Sequence, residues 1–178
     1  MSSIKNYFIY LIFPLLPLLK FNCVKIALLR WRGYKVANDA IIASTASIHG
    51  EMSLEIENNV FIGHCTTILG GLNGHIKISK NVGIAPHCII INGTHKWEMD
   101  GDITRGEGKV ANIVIEEGAT LNANVFVSPG VTIGKMSILG AGSIVVHDIP
   151  SYCFAAGNPA KVIKKYNTIK KTWEQVVS

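Results

Sequence analysis

Six histidines are the groups in this 178-residue chain best suited to moving a proton near neutral pH. His49, His64, His75, His87 and His147 lie in or beside a regular six-residue pattern. His95 stands apart, near the start of a stretch that lacks the pattern, Asn92 to Asn112 (NGTHKWEMDGDITRGEGKVAN), rich in glycine and charge. Long irregular loops inside compact repeats are usually functional. His95 is therefore the first candidate for a general base. Asn92, Glu98 and Asp100 are close to it in the chain, but nothing in the sequence fixes which of them orients its ring. Histidines also bind zinc, and His64, His87 and His95, converging across two subunits, would make up the three protein ligands of an open zinc site. The four cysteines, Cys23, Cys65, Cys88 and Cys153, are widely spaced, with no C-x-x-C pair. The expectation for them is reduced thiols buried as small apolar groups.

The charge is segregated. Residues 1–38 carry six basic residues and no acid, residues 39–160 have five more acids than bases, and residues 161–178 hold five lysines against Glu174. Two basic ends on an acidic body suggest two separate anionic partners. A nucleic-acid binder would carry a basic stripe on its folded body, so nucleic acid is not an expected partner.

The elements that must position these groups follow from periodicity. From Ile115 every sixth residue is aliphatic: Leu121, Val127, Ile133, Leu139 and Val145. Four residues after each of the first five come Ala119, Val125, Val131, Ser137 and Ser143, small or β-branched. The same step runs through Ile42, Ile48 and Leu54, through Ile56, Ile62 and Ile68, and through Leu72, Ile78, Ile84 and Ile90, with register changes near Glu55 and around Gly70–Gly71. A helix would space its apolar residues three and four apart. A step of six with glycine turns describes short strands joined at corners, three faces closing a triangular coil of about eighteen residues. The fold expected is an all-β solenoid, a parallel β-helix over residues 39–165, with an inserted loop at 92–112, an apolar and basic helical segment at 1–38 and a basic tail at 166–178.

In that amino-terminal segment, Tyr7 to Leu19 is uncharged, mostly apolar and interrupted by Pro14 and Pro17. It is too short to span a bilayer and lacks a small-x-small cleavage site. Phe21 to Gly33 reads as a helix with a glycine C-cap. Two roles are open: a cap over the end of the coil, which solenoids need, or interfacial membrane attachment with Lys5, Lys20 and Lys25 facing anionic lipid. The reduced thiols imply a cytoplasmic protein, which the second role would place peripherally on the inner face of the membrane.

Four strings carry a family resemblance: Ser128-Pro-Gly-Val-Thr-Ile-Gly134, Leu139-Gly-Ala-Gly-Ser143, Asp148-Ile-Pro150 and Ala156-Gly-Asn-Pro-Ala-Lys-Val-Ile163. Together they closely resemble the left-handed β-helix acyltransferases, the hexapeptide-repeat superfamily of maltose, galactoside and polysaccharide O-acetyltransferases. Asn92-Gly-Thr-His95 is similar to the corresponding turn of xenobiotic acetyltransferases in that superfamily. The resemblance implies a left-handed coil and a homotrimer with its sites in grooves between neighbouring coils. It implies acetyl-CoA as co-substrate, no metal, His95 as the base and the Ala123 backbone N–H as the oxyanion donor. It places the pantetheine arm near Ala141 and Val146 and the coenzyme phosphates on Lys161 and Lys164. Asn92 is an acceptor-binding candidate. The chain departs from the family in reading Thr120-Leu121-Asn122 where Trp-Ile-Gly is frequent. The acceptor implied is the hydroxyl of a sugar or polysaccharide precursor, small or lipid-linked. Serine, an amino sugar or an antibiotic is the alternative, and a zinc carbonic anhydrase on the same coil is a further one.

Overall fold

The structure, a computed structural model, describes residues 2–176; Met1 at the head of the amino-terminal segment and Val177 and Ser178 in the expected tail lie outside them. The body is a parallel β-solenoid of about five turns. Its first face stacks β1 (Lys35–Val36), β4 (Ser53–Ile56), β7 (His75–Ile78), β12 (Ile113–Ile115) and β15 (Thr132–Ile133). The second stacks β2 (Ile41–Ile42), β5 (Phe61–Ile62), β8 (Gly83–Ile84), β13 (Thr120–Leu121) and β16 (Ile138–Leu139). The third stacks β3 (Ser47–Gly50), β6 (Thr67–Gly70), β9 (Ile89–Ile91), β14 (Phe126–Val127) and β17 (Ile144–Val145).

The six-residue step works because each turn directs one aliphatic side chain inward. Ile115, Leu121, Val127, Ile133, Leu139 and Val145 are all fully buried, as are Ile62, Ile84 and Ile90 on the coils below. Each such side chain contributes about 1.5–3 kcal/mol by leaving water. Ser137 and Ser143 occupy tight corners, where their hydroxyls donate back to the carbonyls of Gly134 and Gly140. Leu72 is a correction. It is 62% exposed, and Ile76 fills the inward position instead.

Coil lengths explain the register changes. Pairing steps twenty residues from Lys35 to Glu55, twenty-two from Glu55 to Lys77, thirty-seven from Lys77 to Val114 and eighteen from Val114 to Thr132. The extra residues all fall between the third face and the first, after β3, β6 and β9. One corner therefore takes every insertion, and the longest is the 92–112 loop. That loop is a hairpin of β10 (Gly93–Trp97) against β11 (Arg105–Val110).

Both ends of the coil are finished by the chain itself. Helix α1 (Ser2–Ile12), a 3₁₀ turn (Phe13–Leu15) and helix α2 (Asn22–Arg32) lie at the first coil, α2 ending on Gly33 at φ 111°. Ile9, Phe13, Ile26 and Leu29 join the same core as Ile42 and Ile48. Lys25 corrects its expected role as a lipid-facing cation. It is fully buried, and its ammonium donates to the carbonyls of Leu18 and Ile42, both at 2.8 Å; burial lowers its pKa. At the other end, β18 (Cys153–Gly157) pairs with β16, and β19 (Ala160–Asn167) and β20 (Thr172–Gln175) extend that sheet antiparallel. The residues expected as a basic tail thus continue the second face as a hairpin, with Tyr166 and Trp173 edge to face. Cys88 and Cys153 are buried as expected, but Cys23 and Cys65 are exposed.

Candidate active site

His95 sits in the middle of β10, where it pairs with Gly108 of β11. Its cross-strand partner, a glycine, has no side chain to cover the imidazole. Beneath the hairpin a cavity of about 470 Å³ opens against the insertion corner, lined by Leu69, Gly70, Leu72, Ile91, His95 and Val110 among others. The walls are mostly apolar, so a polar reactant held there has few competing hydrogen-bond partners besides the imidazole. Among the described residues no side chain hydrogen-bonds the His95 ring, and Lys96 is engaged with Glu107 at 2.6 Å.

Asn92 is not at the cavity surface, which corrects its expected role toward an acceptor. It is fully buried at the root of the hairpin. Its carboxamide oxygen accepts the Gly71 N–H at 2.9 Å, its N–H reaches Leu69 and its carbonyl takes the Ala111 N–H. These bonds close the hairpin's base, while its Nδ2 has no hydrogen-bond partner among the described residues.

The other site residues lie on a different corner, between the second and third faces. Ala123 occupies the turn from β13 to β14, and Ala141 stands directly above it, with Gly142 N–H donating to the Ala123 carbonyl at 2.9 Å. In the coil below, the same turn position is Pro86, two residues past Ile84, the partner of Leu121. Coil-to-coil bonding at this corner therefore needs no N–H there; it runs through Asn122 to Leu139 and Asn124 to Pro86. Above Ala141, Gly140 donates to Ala155, and Lys161 pairs with Ala156. Ala123, Ala141 and Lys161 thus line one edge of the coil. Val146 follows β17 and falls on the insertion corner with the hairpin. Lys164 lies further along β19, opposite Phe154 and beside Trp173, away from that edge. Within one chain, His95 and Ala123 are on opposite edges of the third face.

Within one chain the three histidines of the zinc alternative do not come together. His64 and His87 meet at the Ala123 corner with Cys65, and His95 is absent from that group. The missed signal was coil length: Cys65 and His87 are twenty-two residues apart, one full turn of that coil, disguised by its insertion.

No protein-family model matches the chain. Galactoside O-acetyltransferase of Lactococcus lactis is 40% identical over 92 residues, covering 52% of this chain and 44% of that protein. The chain spans about half the length of the curated relatives it matches. Among solved structures, a maltose O-acetyltransferase from Clostridium difficile 630 superposes with a TM-score of 0.65 at 22% identity, over 92% of this chain and 87% of that one. A hexapeptide-repeat acetyltransferase from Vibrio cholerae, complexed with acetyl coenzyme A, gives a TM-score of 0.60 at 22% identity, over 93% and 87%. The fold is that of the left-handed hexapeptide-repeat β-helix. In sequence as in fold, the chain resembles the acetyltransferases built on it.

Proposed function

We propose that the chain is an acetyl-CoA-dependent O-acetyltransferase whose acceptor is the hydroxyl of a sugar or polysaccharide precursor. The observation that carries this reading is the separation of His95 over its cavity from the edge formed by Ala123, Ala141 and Lys161. Each edge holds half of an acyl-transfer site, and a cyclic homotrimer brings the halves of neighbouring chains together. Trp97, Met99 and Ile103 on the hairpin are 62–87% exposed, apolar surface suited to covering by a neighbour.

In the reaction, the acceptor hydroxyl gives its proton to His95 as its oxygen bonds to the thioester carbonyl carbon. The Ala123 N–H of the adjoining chain stabilises the oxyanion. Collapse breaks the carbon–sulfur bond, and the imidazolium returns the proton to the leaving thiolate. The pantetheine arm runs past Ala141 toward Lys161, which meets phosphate as a point charge. The test is a screen of acceptors with acetyl-CoA, reading free thiol. A sugar hydroxyl that releases thiol supports the reading; release only with serine, an amino sugar or an antibiotic replaces the acceptor; no release with any overturns it.

The amino-terminal cap gives this reading a place. Its inner side belongs to the core, but Tyr7, Phe8, Leu11, Leu15, Leu18 and Leu19 are exposed, Leu15 by 78%. No described helix is long and apolar enough to cross a membrane. We infer a shallow contact with an anionic bilayer, suited to a lipid-linked acceptor. Lys20 is exposed beside this face, whereas Lys5 is held by the Trp31 carbonyl and ring, so the contact rests on apolar burial more than on charge. Leu11→Ser with Leu15→Ser is expected to lower sedimentation with anionic vesicles without changing the melting temperature. Unchanged sedimentation would contradict it. Deleting residues 1–19 is not equivalent, because it removes Ile9 and Phe13 from the core.

A further inference from the structure

The corner between the second and third faces holds a cluster that acyl transfer does not use. His64 Nε2 lies 3.2 Å from Cys65 Sγ. One ligand atom from each of His64, Cys65 and His87 falls within 4.8 Å of the others. The two rings meet edge to face, with centroids 5.5 Å apart. We propose that His64, Cys65 and His87 form a binding site for a zinc-type divalent cation, with a fourth position open to solvent.

The donor set has the right chemistry. Two imidazoles and a thiolate suit zinc above magnesium or calcium, which take oxygen ligands. Tetrahedral zinc holds its nitrogen and sulfur ligands about 3.3–3.6 Å apart. The His64–Cys65 pair, at 3.2 Å, needs to open by only a few tenths of an ångström to reach that spacing, and His87 closes the rest by side-chain rotation.

An outer partner is also in place. Thr45 Oγ1 lies 2.7 Å from His64 Nδ1 and accepts the Cys65 N–H at 3.2 Å. With its proton on Nδ1 and donated to Thr45, His64 presents its Nε2 lone pair outward, the arrangement that metal-bound histidines use.

Backbone conformation gives an independent argument. Cys65 and His87 are both left-handed, at φ 54° and 62°. On the coils above, the same turn position holds Asn124 and Gly142, at φ 61° and 73°, residues that take this conformation at little cost. Cysteine does not, so the thiol at position 65 is bought against local preference and faces His87 from the next coil.

The site stands whether or not acyl transfer is the activity. The test uses the full chain, stripped with a chelator and titrated with Co²⁺, then Zn²⁺. The expected result is one Co²⁺ per chain, a thiolate-to-cobalt charge-transfer band, and its loss when Zn²⁺ displaces the cobalt. Cys65→Asn and His87→Asn each abolish the band and leave the melting temperature at or above wild type, since asparagine suits the left-handed turn. Thr45→Val weakens Co²⁺ binding by about 10–100-fold, the usual cost of an outer-partner change. Cys23→Ser, at the other exposed thiol, keeps the band. The proposal is overturned if the intact chain shows no charge-transfer band, or if the band survives Cys65→Asn or His87→Asn.

Discussion

His95 faces an apolar cavity from a strand position opposite a glycine, which is where a base that must approach a hydroxyl should stand. His95→Ala is expected to lower turnover by about 10²–10⁴ while leaving the Michaelis constant for acetyl-CoA nearly unchanged; turnover near wild type in steady-state assays would remove it from the mechanism. The two lysines that the resemblance implies for the coenzyme separate on structural grounds. Lys161 ends the edge that passes Ala123 and Ala141, whereas Lys164 is half-buried beside Trp173. Lys161→Ala should raise the Michaelis constant for acetyl-CoA more than it lowers turnover, and less so with a coenzyme lacking the 3′-phosphate. Lys164→Ala should have the smaller effect on both. His95 was legible in the sequence because it alone fell outside the six-residue pattern. The burial of Lys25 and Asn92 was not, because a lysine or asparagine is placed inside only when carbonyls or N–H groups from distant segments converge on it, and that convergence has no local signature.

The three corners of the solenoid divide the work between elements. The corner from the first face to the second carries a charge ladder: Lys77 meets Glu57 at 2.8 Å, and Glu117 lies 3.4 Å from Lys80 and 3.1 Å from Lys135 on the coils to either side. The hydrogen bond from Lys135, then that from Lys80, holds the Glu117 carboxyl below the ordinary carboxylate range, and the same pairing raises Lys135. A carboxyl depressed on folding adds stability above its unfolded value of about 4.3 and loses it as pH falls through the lower folded value. Glu117→Gln should therefore melt lower than wild type at neutral pH, with the gap closing in acid; a gap independent of pH in thermal melts would mean the ladder is not felt. The strands were legible because the core accepts an aliphatic at every sixth residue, and of the residues on that step Leu72 alone is exposed, where a corner insertion shifts the phase. The hairpin 93–110 and the closing hairpin 160–175 were not, since both pair antiparallel outside the coil and follow no hexad.

At the scale of the whole molecule, one corner takes every insertion and holds His95, and another presents a bare edge through Ala123, Ala141 and Lys161. On the proposed reading each edge supplies half a site, and that reading stands on the meeting of those halves between copies. Pro86, at the turn position below Ala123, supplies the variant needed: Ala123→Pro removes the N–H in a turn that already accommodates proline one coil below. Alone, it should lower turnover by about 10²–10³, the usual loss for one oxyanion donor. The decisive measurement is activity after Ala123→Pro and His95→Ala chains are unfolded together, refolded in equal amounts and assayed as mixed assemblies. In a cyclic trimer, random mixing pairs an intact His95 with an intact Ala123 at about a quarter of sites, so activity should return to about a quarter of wild type. Activity no greater than the average of the two variants refolded separately would show that the site does not form between chains.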